Sequence, residues 1–158
     1  MFNMGDKVVY PRHGAGIIDG IEEKQVLGEK CKYYVIRIAL GDMRVMVPLD
    51  KMEALGIRYI TPKDKIDDIY NILSGETSYM CKNWSKRYRG NESKIRNGDI
   101  FGIAEIVKNL TVIDREKKLS TGEKRMLESA NQLLVSELML MLDEPIDKVE
   151  EIIQGLIR

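Results

Sequence analysis

Cys31-Lys32-Tyr33-Tyr34-Val35-Ile36-Arg37-Ile38-Ala39-Leu40 decides how the first part of the chain is read. In an extended chain Tyr34, Ile36 and Ile38 fall on one face, and Val35, Arg37 and Ala39 on the other. That alternation predicts a strand. Upstream, Gly28-Glu29 reads as a hairpin connection, and Ile17, Ile18 and Ile21 open a strand that reaches Val26. Before it, His13-Gly14-Ala15-Gly16 forms a turn with glycines available for positive φ. Lys7-Val8-Val9-Tyr10 is a further strand, stopped by Pro11, whose missing N–H cannot serve a central ladder. Downstream, Gly41-Asp42 turns the chain into Met43-Arg44-Val45-Met46-Val47, which ends at Pro48. Turn signals about every ten residues are the spacing of a small all-β barrel. Such a barrel closes in about 50 residues, around a modest core.

Between Asp50 and Ile60 the apolar period changes, and Thr61-Pro62-Lys63-Asp64 is a helix-start signature with Thr61 as N-cap. Ile66, Ile69, Tyr70 and Leu73 follow at helical spacing until Ser74-Gly75. After a loop to Lys82, Asn83 caps a second helix that stops at Asn97-Gly98. Asp99 starts a third, with Ile103, Ile106, Val107 and Leu110 inward. Ser120-Thr121-Gly122-Glu123 is a capping box for a long fourth helix, and Asp143-Glu144-Pro145 starts the last. The expected fold class is therefore α+β and multidomain: a small β-barrel over residues 1–55, a short junction, and a compact all-α domain of about five helices over 62–158.

The chain has 158 residues, 44% hydrophobic and 32% charged, which suits a soluble globular protein with a charged surface. No apolar run approaches the roughly 18 residues needed to span a bilayer, and the N-terminus carries no export pattern. Cys31 and Cys81 are unpatterned, which predicts free thiols in a reducing cytoplasm and no metal knuckle. With 25 basic and 25 acidic residues the net charge is zero, so affinity for nucleic acid must come from a local patch. Asn83-Trp84-Ser85-Lys86-Arg87-Tyr88-Arg89 is the place to look, because it sets the only tryptophan among cations. Trp84, Arg87 and Tyr88 share one helical face, with Lys82, Lys86 and Arg89 beside it. From Lys82 to Arg96 the segment nets five positive charges. Lys124 and Arg125 sit at a helix N-terminus, against the dipole preference for anions, which leaves room for a phosphate there.

Open strand edges recruit partner strands unless blunted, and the strands ending at Val26 and Val47 carry Lys24, Arg44 and Met46. A P-loop reading of Gly5, Gly14, Gly16 and Gly20 fails for want of a Gly-Lys-Ser/Thr ending and a following helix. His13, the only histidine, has no ligand or triad partner at suitable spacing. No paired carboxylates and no nucleophile–base set point to an enzyme. The alternative to nucleic-acid binding is an adaptor whose basic helix takes an acidic protein.

Gly5-Asp6-Lys7-Val8-Val9-Tyr10-Pro11-Arg12-His13-Gly14-Ala15-Gly16 resembles the opening signature of the CarD-like (CdnL-type) bacterial transcription regulators. Asn83 to Tyr88 and Leu119-Ser120-Thr121-Gly122-Glu123-Lys124-Arg125-Met126-Leu127 resemble their two C-terminal signatures, in the same order and spacing. The first motif is also similar to a module of the transcription-repair coupling factor. The resemblance implies a Tudor-like barrel that docks on the RNA polymerase β subunit, partly by edge-strand pairing, through Lys24, Val26, Arg44 and Met46. Met46 stands where some relatives have arginine. The resemblance further implies that the helical domain meets promoter DNA at the upstream edge of the bubble. There Trp84 wedges into the minor groove and stabilises the open complex, with Lys86, Arg87 and Arg89 on the backbone. Lys82, Asn83, Tyr88, Lys124 and Arg125 complete the implied DNA-binding set. The expected protein is a non-enzymatic, cofactor-free monomer, cytoplasmic and held at the bacterial nucleoid by polymerase.

Overall fold

The computed structural model describes residues 2–76 and 83–157, so Cys81 and Lys82 lie outside the described residues. The chain forms strands β1 (Lys7–Tyr10), β2 (Gly14–Val26), β3 (Glu29–Ile38), β4 (Arg44–Pro48) and β5 (Arg58–Tyr59). Helices α1 (Ile66–Ser74), α2 (Trp84–Asn97), α3 (Ile100–Glu116), α4 (Thr121–Leu142) and α5 (Ile146–Leu156) follow. The expected order of an antiparallel β part and then five helices is what is found.

The five strands form one antiparallel sheet in the order β4-β3-β2-β1-β5. Its register puts Tyr34, Ile36 and Ile38 of β3 inward, where they join Val8, Tyr10, Ile18, Val47, Met52 and Ile57 in an apolar core. The long β2 serves two neighbours: Gly14–Ile17 pairs with β1, and Gly16–Val26 pairs with β3 across an irregularity between Ile18 and Gly20. The two ladders overlap at Gly16 and Ile17, and at Gly16 a Cβ would lie 2.6 Å from the Arg37 carbonyl oxygen and 2.9 Å from Ile36 Cγ2. Only glycine fits that crossing.

Three local details depart from the sequence reading. The β2–β3 hairpin turns at Leu27-Gly28, one residue earlier than expected, because both adopt positive φ (50° and 82°), as a two-residue type I′ turn demands. β5 lies beyond residue 55, in the stretch read as junction, and adds an edge to the sheet by pairing Val8 with Tyr59 and Val9 with Arg58. Two residues are too few to show a period. Thr61 does not cap α1, which begins only after a 3-10 turn at Lys63–Lys65. Its N–H and hydroxyl both donate to Glu137 Oε2, each at 2.8 Å.

The helical core gathers Ile69 and Leu73 of α1, Ile103, Ile106, Val107 and Leu110 of α3, Leu134 and Leu138 of α4, and Val149 and Ile153 of α5. Fully burying each such side chain contributes about 1.5–3 kcal/mol. α4 also lies against the sheet. The Ser136 hydroxyl accepts from Ala15 N–H at 2.9 Å and donates to the Leu133 carbonyl, and Lys7 Nζ donates to the Leu140 carbonyl. Gly14 permits this approach: its φ is +111°, and a Cβ there would stand 2.9 Å from Ser136 Oγ. The two halves are thus one packed unit. Among the described residues, no helix is long and apolar enough to cross a membrane.

Candidate nucleic-acid interface

Asn83 starts α2 as expected: its side-chain oxygen accepts from Lys86 N–H at 3.1 Å. Trp84 is therefore the first residue of α2, and it is 45% exposed. The ring is nevertheless held. Its Nε1–H donates to Ser120 Oγ at 3.2 Å, and one face stacks on Tyr88 with centroids 5.2 Å apart and planes at 20°. Beneath the pair lies Gly122, where a Cβ would come 3.4 Å from Tyr88 Cε2 and 3.7 Å from Trp84 Cζ2. One turn along α2, Arg87 grips Glu123 at both oxygens, Nε to Oε2 at 2.9 Å and Nη2 to Oε1 at 2.8 Å. The two C-terminal motifs, 36 residues apart, thus form one site.

The expected capping box is half realised. Ser120 Oγ accepts from Glu123 N–H at 3.3 Å, but the Glu123 carboxylate takes Arg87. Sequence reasoning placed Arg87 with the phosphate-binding cations; the structure turns it inward, leaving 17% of its side chain exposed. It also missed the contacts that Ser120, Gly122 and Glu123 make with Trp84, Tyr88 and Arg87. A glycine in the first turn of a helix, where alanine is better by about 1 kcal/mol, was the available signal of a close approach.

Lys86 and Arg89 are exposed on α2, as is Arg96 further down, whereas Lys94 pairs with Glu105 at 2.9 Å. Two exposed cations not singled out from sequence, Lys117 and Lys118, lie in the segment leading to Ser120. Lys124 and Arg125 are both exposed, but they face different ways, about 100° apart on α4. Lys124 lines a hollow with Thr111, Asp114, Leu127, Glu128 and Asn131, whereas Arg125, three residues after Gly122, falls on the helix face of that glycine.

In the sheet, the register puts Lys24, Val26, Arg44 and Met46 on one face, spread along the length of β3. They pair with Cys31, Glu29, Arg37 and Val35 of β3, alternate residues that share the sheet face opposite Tyr34, Ile36 and Ile38. Lys24, Val26 and Arg44 are exposed and Met46 half-buried. Arg44 reaches Asp19 at 3.4 Å, a solvated pair of little energetic weight. β4 pairs only with β3, and so does the Glu22–Val26 stretch of β2, so both present an open backbone edge among the described residues.

Two family models cover nearly the whole chain: the CarD-like/TRCF RID domain over residues 2–61 and the CarD C-terminal domain over 68–154. The chain belongs to the CarD family. It is 44% identical over 138 residues to the "Putative transcription factor YdeB" of Bacillus subtilis (strain 168), covering 87% of this chain and 90% of that one. Among solved structures it is similar to the 72-residue N-terminal domain of Myxococcus xanthus CarD, with 36% identity, TM-score 0.32, and coverage of 37% of this chain and 79% of that one. It is also similar to CdnLNt from Myxococcus xanthus, with 43% identity, TM-score 0.34, and coverage of 38% and 84%. This CarD-family chain is thus a member of a transcription-factor family.

Proposed function

We propose that this protein regulates transcription initiation by docking on the RNA polymerase β subunit and bracing promoter DNA at the upstream edge of the melted bubble. Trp84 is the wedge, and Lys86, Arg89, Lys117, Lys118 and Arg125 are the cations that approach the backbone. Docking uses the sheet face of Lys24, Val26, Arg44 and Met46, with the open edge of β4. The observation that carries this reading is Trp84 itself, half exposed at the head of α2 and pinned to α4 by its own N–H.

The energetics favour that division of labour. An inserted side chain must offset a few kcal/mol of base unstacking, and the cost is least where pairs are already broken. A handful of cations gives sequence-independent affinity of about 10⁻⁴ to 10⁻⁶ M, too weak to find one junction in a genome. Anchoring on polymerase raises the local concentration to about the millimolar range. A chain of zero net charge with one small basic patch therefore suits a polymerase-borne clamp better than a free DNA binder.

The test is the lifetime of the polymerase–promoter open complex with the natural chain and with Trp84→Ala, polymerase binding being measured in parallel. A shorter lifetime with unchanged polymerase binding is expected. An unchanged lifetime with the variant shown to be bound would sink the wedge, and binding of an acidic protein in place of DNA would favour the adaptor.

A further inference from the structure

We propose that Glu123, acting through Arg87, is a positioning residue for the Trp84 ring, and that Arg87 serves this clasp instead of gripping phosphate. The inference rests on the reading of Trp84 as a DNA wedge and says how that wedge is kept in shape.

The starting point is burial. Only 3% of the Glu123 side chain is exposed, and its two oxygens meet the Arg87 guanidinium at 2.8 and 2.9 Å. Removing Arg87 to a phosphate would strand a nearly dry carboxylate, which is far costlier than breaking a solvated ion pair. A two-point fork also fixes direction as well as distance. It therefore sets the rotation of α2 against α4.

That rotation decides where the ring goes. Trp84 opens α2, where no earlier turn restricts its rotamers, so its orientation has to be imposed from outside. Three contacts impose it: the Nε1–H bond to Ser120 Oγ, the stack on Tyr88, and the floor left by Gly122. Each depends on register between the heads of α2 and α4. Ser120 Oγ accepts from Trp84 while also accepting from Glu123 N–H, so the residue that holds Arg87 shares its helix cap with the ring. The Nε1–Cζ2 edge is turned to α4 and one face lies on Tyr88, while 45% of the residue remains exposed for contact with a base step. A wedge already in its working orientation loses no side-chain freedom on insertion.

The experiment exploits Trp84 being the only tryptophan, so intrinsic fluorescence of the full chain reports this ring alone. Glu123→Gln is expected to lower Trp84 anisotropy and increase its quenching by acrylamide. In the polymerase–promoter complex it should shorten open-complex lifetime about tenfold, toward that of Trp84→Ala, with polymerase binding unchanged; tenfold corresponds to about 1.4 kcal/mol. A paired substitution, Arg87→Met with Glu123→Met, keeps the α2–α4 packing without a stranded charge. It should retain more lifetime than either single change, with an unaltered salt dependence.

Were Arg87 a phosphate ligand, Arg87→Met would reduce the slope of log affinity against log salt by about 0.9, the paired variant would do no better, and Glu123→Gln would leave the ring's fluorescence as it was. That pattern overturns the inference and spares the wedge. An unchanged lifetime for Trp84→Ala would instead overturn the wedge reading, and the inference with it.

Discussion

Arg58 and Glu137 face each other across the boundary between sheet and helices as a two-point ion pair, Nη2 to Oε1 at 2.8 Å and Nη1 to Oε2 at 3.0 Å. Arg58 belongs to β5, and its Nε and Nη2 also donate to the Gly98 carbonyl that ends α2. One guanidinium therefore holds the sheet to α4 and to the far end of α2. Trp84 stands at the other end of that helix, 14 residues long and so about 21 Å away. The clasp at the head of α2 and the anchor at its foot hold the helix at both ends, against α4 and against the sheet.

Glu137 is buried, and its partners are Arg58 and both donors of Thr61. Glu137→Ala leaves the two Thr61 donors without their acceptor and takes the counter-charge from Arg58, which keeps only the Gly98 and Tyr59 carbonyls, and is expected to lower stability by about 3 kcal/mol. For a chain of this size that lowers the melting temperature by about 6–12 °C in calorimetry. A change under 2 °C, taken as about the scatter of a neutral surface substitution, would show that the pair is not structurally coupled to folding.

Gly16 lies where β2 passes between its two partners. Gly16→Ala places a methyl group 2.6 Å from the Arg37 carbonyl oxygen, a backbone atom that cannot swing aside. Denaturant titration should show a loss of about 1–3 kcal/mol, the usual cost of overpacking. By contrast Gly20→Ala, with open space around its Cβ, should change stability far less.

Lys86 and Arg89 are exposed on the helix that carries the ring. Replacing both with alanine should lower the slope of log DNA affinity against log salt by about 1.8, or about 0.9 for each phosphate that is no longer neutralised. Lys124→Ala, in the hollow that Asp114 and Glu128 also line, should leave the slope nearly unchanged. Equal effects from Lys124 and Arg89 would contradict the assignment of faces.

Lys24 and Arg44 share the exposed sheet face. Charge reversal at either should weaken binding to the polymerase β subunit by about tenfold, while leaving DNA crosslinking from position 84 in the tethered complex intact once the variant is bound. Loss of crosslinking from a bound variant would place the docking surface elsewhere.

The strands and helices were readable because each is announced by neighbours in the chain. Alternation marked β3, apolar runs between turn signals marked β1, β2 and β4, and Asn83, Asp99 and Gly98 signalled the helix ends they form. What escaped was of two kinds. β5 is too short for a period, and Thr61 looks like a cap in sequence because nothing local reveals the carboxylate that takes its hydroxyl. Leu27 hid the hairpin turn for a similar reason: it adopts positive φ without being the asparagine or glycine that normally signals it.

The sequence by itself determined the order of β part and helical part, the cap that puts Trp84 at the head of a helix, and membership of the CarD family. These follow from patterns within a few residues and from motif spacing. Only the tertiary structure decided which charges face solvent. Arg87 and Arg89 are two places apart and chemically alike, yet Arg87 closes on a buried Glu123 36 residues away while Arg89 remains exposed. The physical reason is that a side chain's company is set by helix packing, and packing unites residues that no local pattern connects.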